Sequence, residues 1–142
     1  MARGPFLAAG NSTDASRTEY FRGLPQSFGR TLREQRVRRE IGLRRLARVS
    51  GLSASYLSRI ERDLVPPPSP KLIHELARAL GADTEVLLAA AGIIPEHLLA
   101  VLRDRPAPMA LLLSVMERMT DDEVLNVCDE LRRRREAAFA SP

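Results

Sequence analysis

Four residues on one side of a predicted helix form the best candidate for a binding surface, and three of them are polar or charged. They stand at i, i+1, i+4 and i+5 of the segment after Ser53 and are Ala54, Ser55, Ser58 and Arg59. In a helix they lie opposite the apolar Leu57 and Ile60, so they face outward. Ser53 can accept a backbone N–H bond at the start of this helix, whose N-terminus then faces a phosphate or a base edge. This chemistry is that of binding rather than of catalysis.

A helix, a glycine turn and a second helix position these side chains. Ala47 is small, which lets the second helix cross closely above it, and Gly51 four residues later can adopt the positive φ of the turn at little steric cost. Leu57 and Ile60, ten and thirteen residues after Ala47, point back into the core. The spacing predicts a helix-turn-helix over residues 46–60.

Further helices on both sides of this motif complete a domain. Apolar spacing and helix-breaking residues predict helices over residues 28–40, 43–50, 54–62, 70–80 and 84–91. Ser69 can cap the fourth of them with Pro70 in its first turn, and Gly81 is the usual residue for a left-handed C-terminal cap. The prediction is an all-α fold with a five-helix domain over residues 27–92.

Residues 28–88 resemble the Xre family of phage-repressor-type regulators, the Cro/cI-like helix-turn-helix domains. The resemblance covers about 60 of the 142 residues and rests on Leu46-Ala47, Gly51, Ser53, the run Tyr56-Leu57-Ser58-Arg59-Ile60-Glu61-Arg62 and the run Leu76-Ala77-Arg78-Ala79-Leu80-Gly81. It implies a lambda-repressor-like domain that binds double-stranded DNA, with the third helix in the major groove and the second across the backbone.

The resemblance also implies which residues contact DNA. Ala54, Ser55, Ser58 and Arg59 are expected to read bases, and the planar fork of Arg59 can pair with guanine O6 and N7. The residues expected near phosphates are Ser53, Tyr56 and Arg62, with Arg44, Arg45 and Arg48 as further neighbours. For each of these residues the alternative is an ordinary solvated surface side chain.

Two positions have a structural role in relatives, and two others depart from the family pattern. Arg36 and Glu61 occupy the positions where relatives form an internal ion pair between the first and third helices. Relatives usually start the second helix with Thr-Gln, whose glutamine meets a phosphate, whereas this chain has Gly42 and Leu43 there. The loop over residues 61–69 is one residue longer than the common pattern and rich in proline, so no DNA contact is assigned to it.

Charge is distributed unevenly along the chain. Residues 28–81 hold twelve basic and five acidic residues, a balance of +7, whereas residues 82–142 hold seven basic and eleven acidic residues, a balance of −4. This asymmetry indicates a polyanion-binding domain followed by a module that faces protein, with salt-dependent binding. The alternative is that arginine, 21 of the 22 basic residues, reflects codon bias.

Few residues could serve a cofactor, a metal or catalysis. The single Cys128 cannot form an intramolecular disulfide and has no Cys or His at zinc-finger spacing, so we expect no metal and no cofactor. His74 and His97 stand 23 residues apart without a catalytic arrangement nearby, so we expect no enzyme. Cys128 as a redox sensor is an alternative, but its apolar and acidic helix would keep the thiol protonated.

No apolar run is long enough to cross a bilayer, and the N-terminus lacks the order of a secretory signal. We therefore expect a cytoplasmic, nucleoid-associated protein without membrane contact. Residues 1–26 show no periodicity and are predicted to be a flexible tail, although residues 20–24 could dock locally.

Residues 93–142 are predicted to be a helical oligomerisation or interaction region. We expect a helix over residues 95–103, a linker over residues 105–108, a largely apolar helix over residues 109–119 and a final helix launched by a capping box at residues 120–123. The apolar surface exceeds what one short helix can cover, which favours a homodimer that closes through Leu112, Val115, Met116, Met119, Val124 and Leu125.

Two alternatives remain for this region. Its helices could close on themselves and on the fifth helix. The chain could also be an antitoxin or adaptor that binds a protein partner through its C-terminal half and DNA only for autoregulation. The favoured homodimer, by contrast, predicts a dimeric repressor that competes with polymerase at a palindromic operator.

Overall fold

The computed structural model describes Arg22 and residues 27–140, and this part of the chain contains α-helices and no strands. Residues 27–140 form the helices α1 (Phe28–Arg38), α2 (Leu43–Ser50), α3 (Ala54–Glu61), α4 (Pro70–Leu80), α5 (Thr84–Ala90), α6 (Glu96–Asp104), α7 (Pro106–Met116) and α8 (Asp121–Ala140). The predicted all-α class is confirmed. The predicted N-terminal tail, residues 1–26, lies outside the described residues apart from Arg22.

The described residues divide into two compact units. The first unit contains residues 27–94, and the second contains Arg22 and residues 95–140. In the first unit α3 packs on α1 and α2, and α4 packs on α2 and α5. Their core is aliphatic with one aromatic ring and includes Phe28, Leu32, Leu46, Ala47, Leu57, Ile60, Ile73, Leu76, Ala77, Leu80, Leu87 and Leu88.

Local caps end these helices where the sequence predicts. Gly51 and Gly81 adopt left-handed conformations with φ of 70° and 63°, and they terminate α2 and α4. Ser69 accepts a bond from the Leu72 N–H at the start of α4, beside Pro70. These expectations are confirmed because each depends on short-range geometry that a single residue type satisfies.

A close approach between α1 and α3 also depends on a glycine. Gly29 lies so near the C-terminal end of α3 that a Cβ there would overlap the carbonyl oxygen of Ile60. Its N–H donates to the Asp63 carboxylate at 3.0 Å, and Ser27 caps the same turn through the Arg30 N–H. The start of α1 is thereby attached to the residue just beyond α3.

The second unit corrects one sequence-based expectation. Residues 105–108 were expected to form a linker, but α7 already begins at Pro106 and ends at Met116 rather than at residue 119. Proline is tolerated in the first turn of a helix because its missing N–H has no intrahelical acceptor there. Only Arg105 separates α6 from α7, and these two helices pack on each other.

The capping box at the start of α8 is confirmed. The Glu123 carboxylate accepts from the Thr120 N–H at 2.7 Å, and the Thr120 hydroxyl accepts from the Glu123 N–H at 3.3 Å. No side chain in residues 95–140 is buried. Within the described part of the chain no helix has the length and apolar character needed to span a membrane.

Candidate nucleic-acid interface

Helix α3 presents its polar side outward because its apolar side is anchored. Leu57 and Ile60 are 0% and 1% exposed and lie in the core of the first unit. On the opposite side Ser55 and Arg59 are exposed, and Ala54 and Ser58 are half-buried. The four residues expected to read bases thus share one accessible face of α3.

The N-terminus of α3 is capped as the sequence predicts. The Ser53 hydroxyl oxygen accepts from the Tyr56 N–H at 3.1 Å, which leaves its hydroxyl proton available as a donor. Tyr56 is half-buried and packs against the core. The cap fixes the direction in which the first turn of α3 points.

Exposed arginines lie on the preceding helix and directly after α3. Arg44, Arg45 and Arg48 are exposed on α2, and Arg62 is exposed directly after α3. Within the described part of the chain none of them forms an ion pair with a carboxylate, and the same holds for Arg59. Their positive charge is therefore not neutralised locally and is available to an anionic ligand.

An ion pair holds the C-terminal end of α3. The Arg36 guanidinium binds both carboxylate oxygens of Glu61, with Nε–Oε1 and Nη2–Oε2 distances of 2.6 and 2.9 Å. Arg36 also donates to the Ile41 carbonyl at 2.9 Å. The hydrogen bond to Glu61 raises the pKa of Arg36, although partial burial opposes it. This pair connects α1, the turn after it and α3.

Comparison with known proteins identifies the first unit. A family model described as a helix-turn-helix domain matches residues 27–91. Residues 27–91 thus form a helix-turn-helix domain. The predicted helix-turn-helix is thereby confirmed, and the match includes residues 28–88, the stretch that resembles the Xre family.

Two relatives show how far the similarity extends. An uncharacterized HTH-type transcriptional regulator of Mycobacterium tuberculosis is 38% identical over 76 residues, which cover 54% of each chain. The HTH-type transcriptional repressor RghR of Bacillus subtilis is 42% identical over 71 residues, 50% of this chain and 53% of the relative. The chain thus spans about half the length of the curated relatives it matches. No solved structure matches.

Sequence reasoning missed two residues that position the helix-turn-helix. Gly29 and Asp63 join the start of α1 to the end of α3, and Asp63 adopts a left-handed φ of 54°. The pair is separated by 34 residues, so no local periodicity signals it. An aspartate after a helix end tolerates a positive φ better than most residues, and this is the one signal that could have indicated the turn.

The residues considered for other chemistry lie on other helices. The Nδ1 atom of His74 is 2.7 Å from the Pro70 carbonyl oxygen in its own helix, and Cys128 is exposed on α8. Among the described residues no group of three or more His, Cys, Asp or Glu side chains could hold a metal ion. The acidic residues 121–123 occupy the first turn of α8, where they interact favourably with the helix dipole.

Proposed function

We propose that this chain is a DNA-binding transcriptional regulator that inserts α3 into the major groove. The observation that carries the proposal is the outward face of α3, where Ser55 and Arg59 are exposed while Leu57 and Ile60 are buried. A recognition helix needs this combination, because the buried side fixes its orientation and the free side contacts base edges. The relatives support the proposal since both are named HTH-type transcriptional regulators.

Within this proposal the exposed residues have separate roles. Ala54, Ser55, Ser58 and Arg59 read bases, and Arg59 supplies most of the specificity because its fork can make two bonds to guanine. The contacts to phosphates come from Ser53, Tyr56, Arg62, Arg44, Arg45 and Arg48. Phosphate contacts set the register of the protein on DNA but do not discriminate sequences.

Selection of bound sequences from random double-stranded DNA tests these roles. The full chain is expected to enrich a shared motif, and Arg59→Ala should reduce discrimination at one guanine position by roughly 1–3 kcal/mol. Arg33→Ala is the matched control, since Arg33 is an exposed arginine on α1 outside the assigned contacts. Failure of the full chain to enrich any motif would contradict the proposal, and an unchanged motif with Arg59→Ala would remove Arg59 from base reading.

We propose further that the regulator is a homodimer that assembles through residues 93–142. The support is that residues 95–140 contain no buried side chain although α7 is rich in Leu, Val and Met. The residues expected at the interface are Leu112, Val115, Met116, Met119, Val124 and Leu125. A second copy is the favoured cover, because a two-fold interface buries the same apolar face on both chains and presents two recognition helices to a palindromic operator.

A matched pair of valines tests the dimer. Val115 on α7 and Val37 on α1 are 55% and 56% exposed, so Val115→Asp and Val37→Asp introduce the same charge at equal accessibility. Sedimentation of the full chain should give a dimer that Val115→Asp dissociates and Val37→Asp leaves intact. A monomeric full chain, or equal behaviour of both variants, would contradict this assignment.

We propose that the regulator acts as a repressor. A dimer seated on an operator that overlaps a promoter excludes polymerase, and the Bacillus subtilis relative is named a repressor. A regulator of this kind acts on DNA in the cytoplasm, associated with the nucleoid. Transcription from a promoter that contains the selected motif should fall when the protein is added, and a rise would indicate an activator.

The exposed apolar residues of the second unit also support the adaptor or antitoxin alternative. In that case a different protein, rather than a second copy, covers α7. Purification from the native cell distinguishes the two, since a stoichiometric second protein favours the adaptor and a lone homodimer favours the regulator.

A further inference from the structure

The ends of α1 and α3 share a backbone conformation that favours glycine, yet each holds an acidic residue. Glu40 follows α1 and Asp63 follows α3, and both have a φ of 54°. The Glu40 N–H donates to the Val37 carbonyl at 2.9 Å, and the Asp63 N–H donates to the Ile60 carbonyl at 3.0 Å. A side chain at such a φ destabilises a turn relative to glycine, so both turns are strained in the same way.

The two acidic side chains differ in what they contact. Glu40 is exposed, and within the described part of the chain its carboxylate forms no hydrogen bond or ion pair. The Asp63 carboxylate accepts from the Gly29 N–H at 3.0 Å. This N–H lies in the first turn of α1, where backbone donors have no acceptor within the helix and the helix dipole favours a negative charge. The bond to Gly29 thus offsets the strain at Asp63.

The strained turn at Asp63 includes one of the proposed phosphate contacts. Arg62 is exposed between α3 and Asp63, and its N–H donates to the Ser58 carbonyl at 3.2 Å. On the other side of Asp63, the Leu64 N–H donates to the Arg59 carbonyl at 2.9 Å. We infer that Asp63 is a positioning residue for DNA binding, because its bond to Gly29 fixes the turn from which Arg62 reaches a phosphate.

Close packing around Gly29 makes this bond an effective restraint. A Cβ on Gly29 would lie 2.6 Å from Asp63 Oδ1 and would overlap the Ile60 carbonyl oxygen. The Asp63 carboxylate and the end of α3 are therefore both in contact with the first turn of α1. A displacement of residues 62–64 breaks the bond to Gly29, so these residues have one preferred position relative to α1.

The consequence for DNA binding rests on the proposed function. Without the bond, residues 62–64 sample several positions and must be ordered when Arg62 meets a phosphate, which weakens binding. Phosphate contacts do not discriminate sequences, so the loss should be the same on the selected motif and on random DNA. Asp63 thus contributes to affinity through Arg62 and leaves the sequence preference of Arg59 unchanged.

Hydrogen exchange of the Gly29 amide tests the bond in the full chain without DNA. Asp63→Asn and Asp63→Gly both remove the charge and both tolerate a positive φ, but only asparagine keeps an acceptor oxygen. Exchange at Gly29 should be about two- to tenfold faster in Asp63→Gly than in Asp63→Asn, the range that corresponds to one hydrogen bond. Equal exchange in the two variants would overturn the positioning role.

Glu40 supplies the matched control, because its backbone has the same φ as that of Asp63. Glu40→Gly and Glu40→Asn measure what glycine does at this conformation in the absence of the bond to Gly29. Neither of them should change exchange at Gly29. A difference between them as large as that between the Asp63 variants would mean that the flexibility of glycine, and not the lost acceptor, causes the effect.

A double-mutant cycle on DNA then tests the positioning of Arg62. Asp63→Gly should bind the selected motif and random DNA about two- to tenfold more weakly than Asp63→Asn, and both variants lack the repulsion between Asp63 and phosphates. In an Arg62→Ala background this difference should disappear, because no Arg62 remains to be positioned. Equal affinities of the two Asp63 variants, or a difference that persists with Arg62→Ala, would overturn the role. If the full chain binds no motif, the proposed function fails while hydrogen exchange still decides whether Asp63 holds α1.

Discussion

The two units of this chain use apolar residues in opposite ways. Residues 27–94 enclose a core in which Leu32, Leu57 and Leu76 have no exposure, and α3 gains its orientation from that core. Residues 95–140 include α7, the most apolar helix of the described chain, yet Leu111 and Val115 on it are 68% and 55% exposed. Apolar content alone therefore does not distinguish a helix of a folded core from a helix with an exposed apolar surface.

The difference lies in the number of elements that meet. In the first unit five short helices cross, so each helix buries its apolar side on two or more others. In the second unit α6 and α7 pack on each other, and apolar side chains of both helices, such as Val101 and Val115, stay exposed. The first unit thus has an enclosed core, whereas residues 95–140 contain no buried side chain.

Cavity creation should have the largest effect and should separate the units most clearly. Leu57→Ala removes a fully buried side chain beneath the recognition face and should cost about 4 kcal/mol of unfolding free energy. Leu112→Ala, at a leucine that is 44% exposed, should change the unfolding of the first unit by less than about 0.5 kcal/mol. Urea denaturation followed by residue-specific signals of α3 measures both. Equal losses would mean that the two units share one core.

Breaking the ion pair should have the next largest effect. Arg36→Ala leaves Glu61, which is 7% exposed, without its partner and should destabilise the first unit by about 3 kcal/mol. The double variant Arg36→Met with Glu61→Leu should lose much less, because no unpaired charge remains buried. Thermal unfolding of these variants measures the difference. A double variant as unstable as Arg36→Ala would show that packing rather than charge pairing sets the loss.

Features that depend on neighbours in the chain could be predicted from the sequence. The turn glycine Gly51, the caps Ser53 and Ser69 and the capping box at Thr120 depend on residues within four positions of each other, and all are present. The spacing of Leu57 and Ile60 likewise predicted which side of α3 is buried.

Contacts between distant parts of the chain could not be predicted in the same way. The bond from Gly29 to Asp63 and the bridge from Arg22 to Asp129 join residues separated by 34 and 107 positions. Residues 105–108 contain two prolines and were predicted to be a linker. In the structure α7 begins at Pro106, because a helix accepts proline in its first turn. The Arg36–Glu61 pair was available only through the family resemblance, since nothing local links these two residues.

Titration of the capping box should have the smallest effect and is specific to the second unit. Bonds from the Thr120 N–H and hydroxyl hold the pKa of Glu123 below its ordinary value. A carboxylate whose pKa is lowered on folding stabilises the fold fully above its unfolded pKa of about 4.3, and this stabilisation is lost as pH falls through the folded pKa. The start of α8 should therefore fray in acid while α3, capped by the uncharged Ser53, does not fray for this reason.

The amide proton of Thr120 reports this directly, because its chemical shift should follow the ionisation of Glu123 below about pH 4.3. Glu123→Gln keeps an acceptor oxygen that does not titrate, so the Thr120 shift should become insensitive to pH while the cap persists. Glu117→Gln, an exposed glutamate outside the capping box, should leave the Thr120 titration unchanged. A Thr120 amide that is already insensitive to pH in the unchanged protein would mean that water, rather than Glu123, satisfies this N–H in solution, and the second unit would then lose one of the surface bonds that distinguish it from the first.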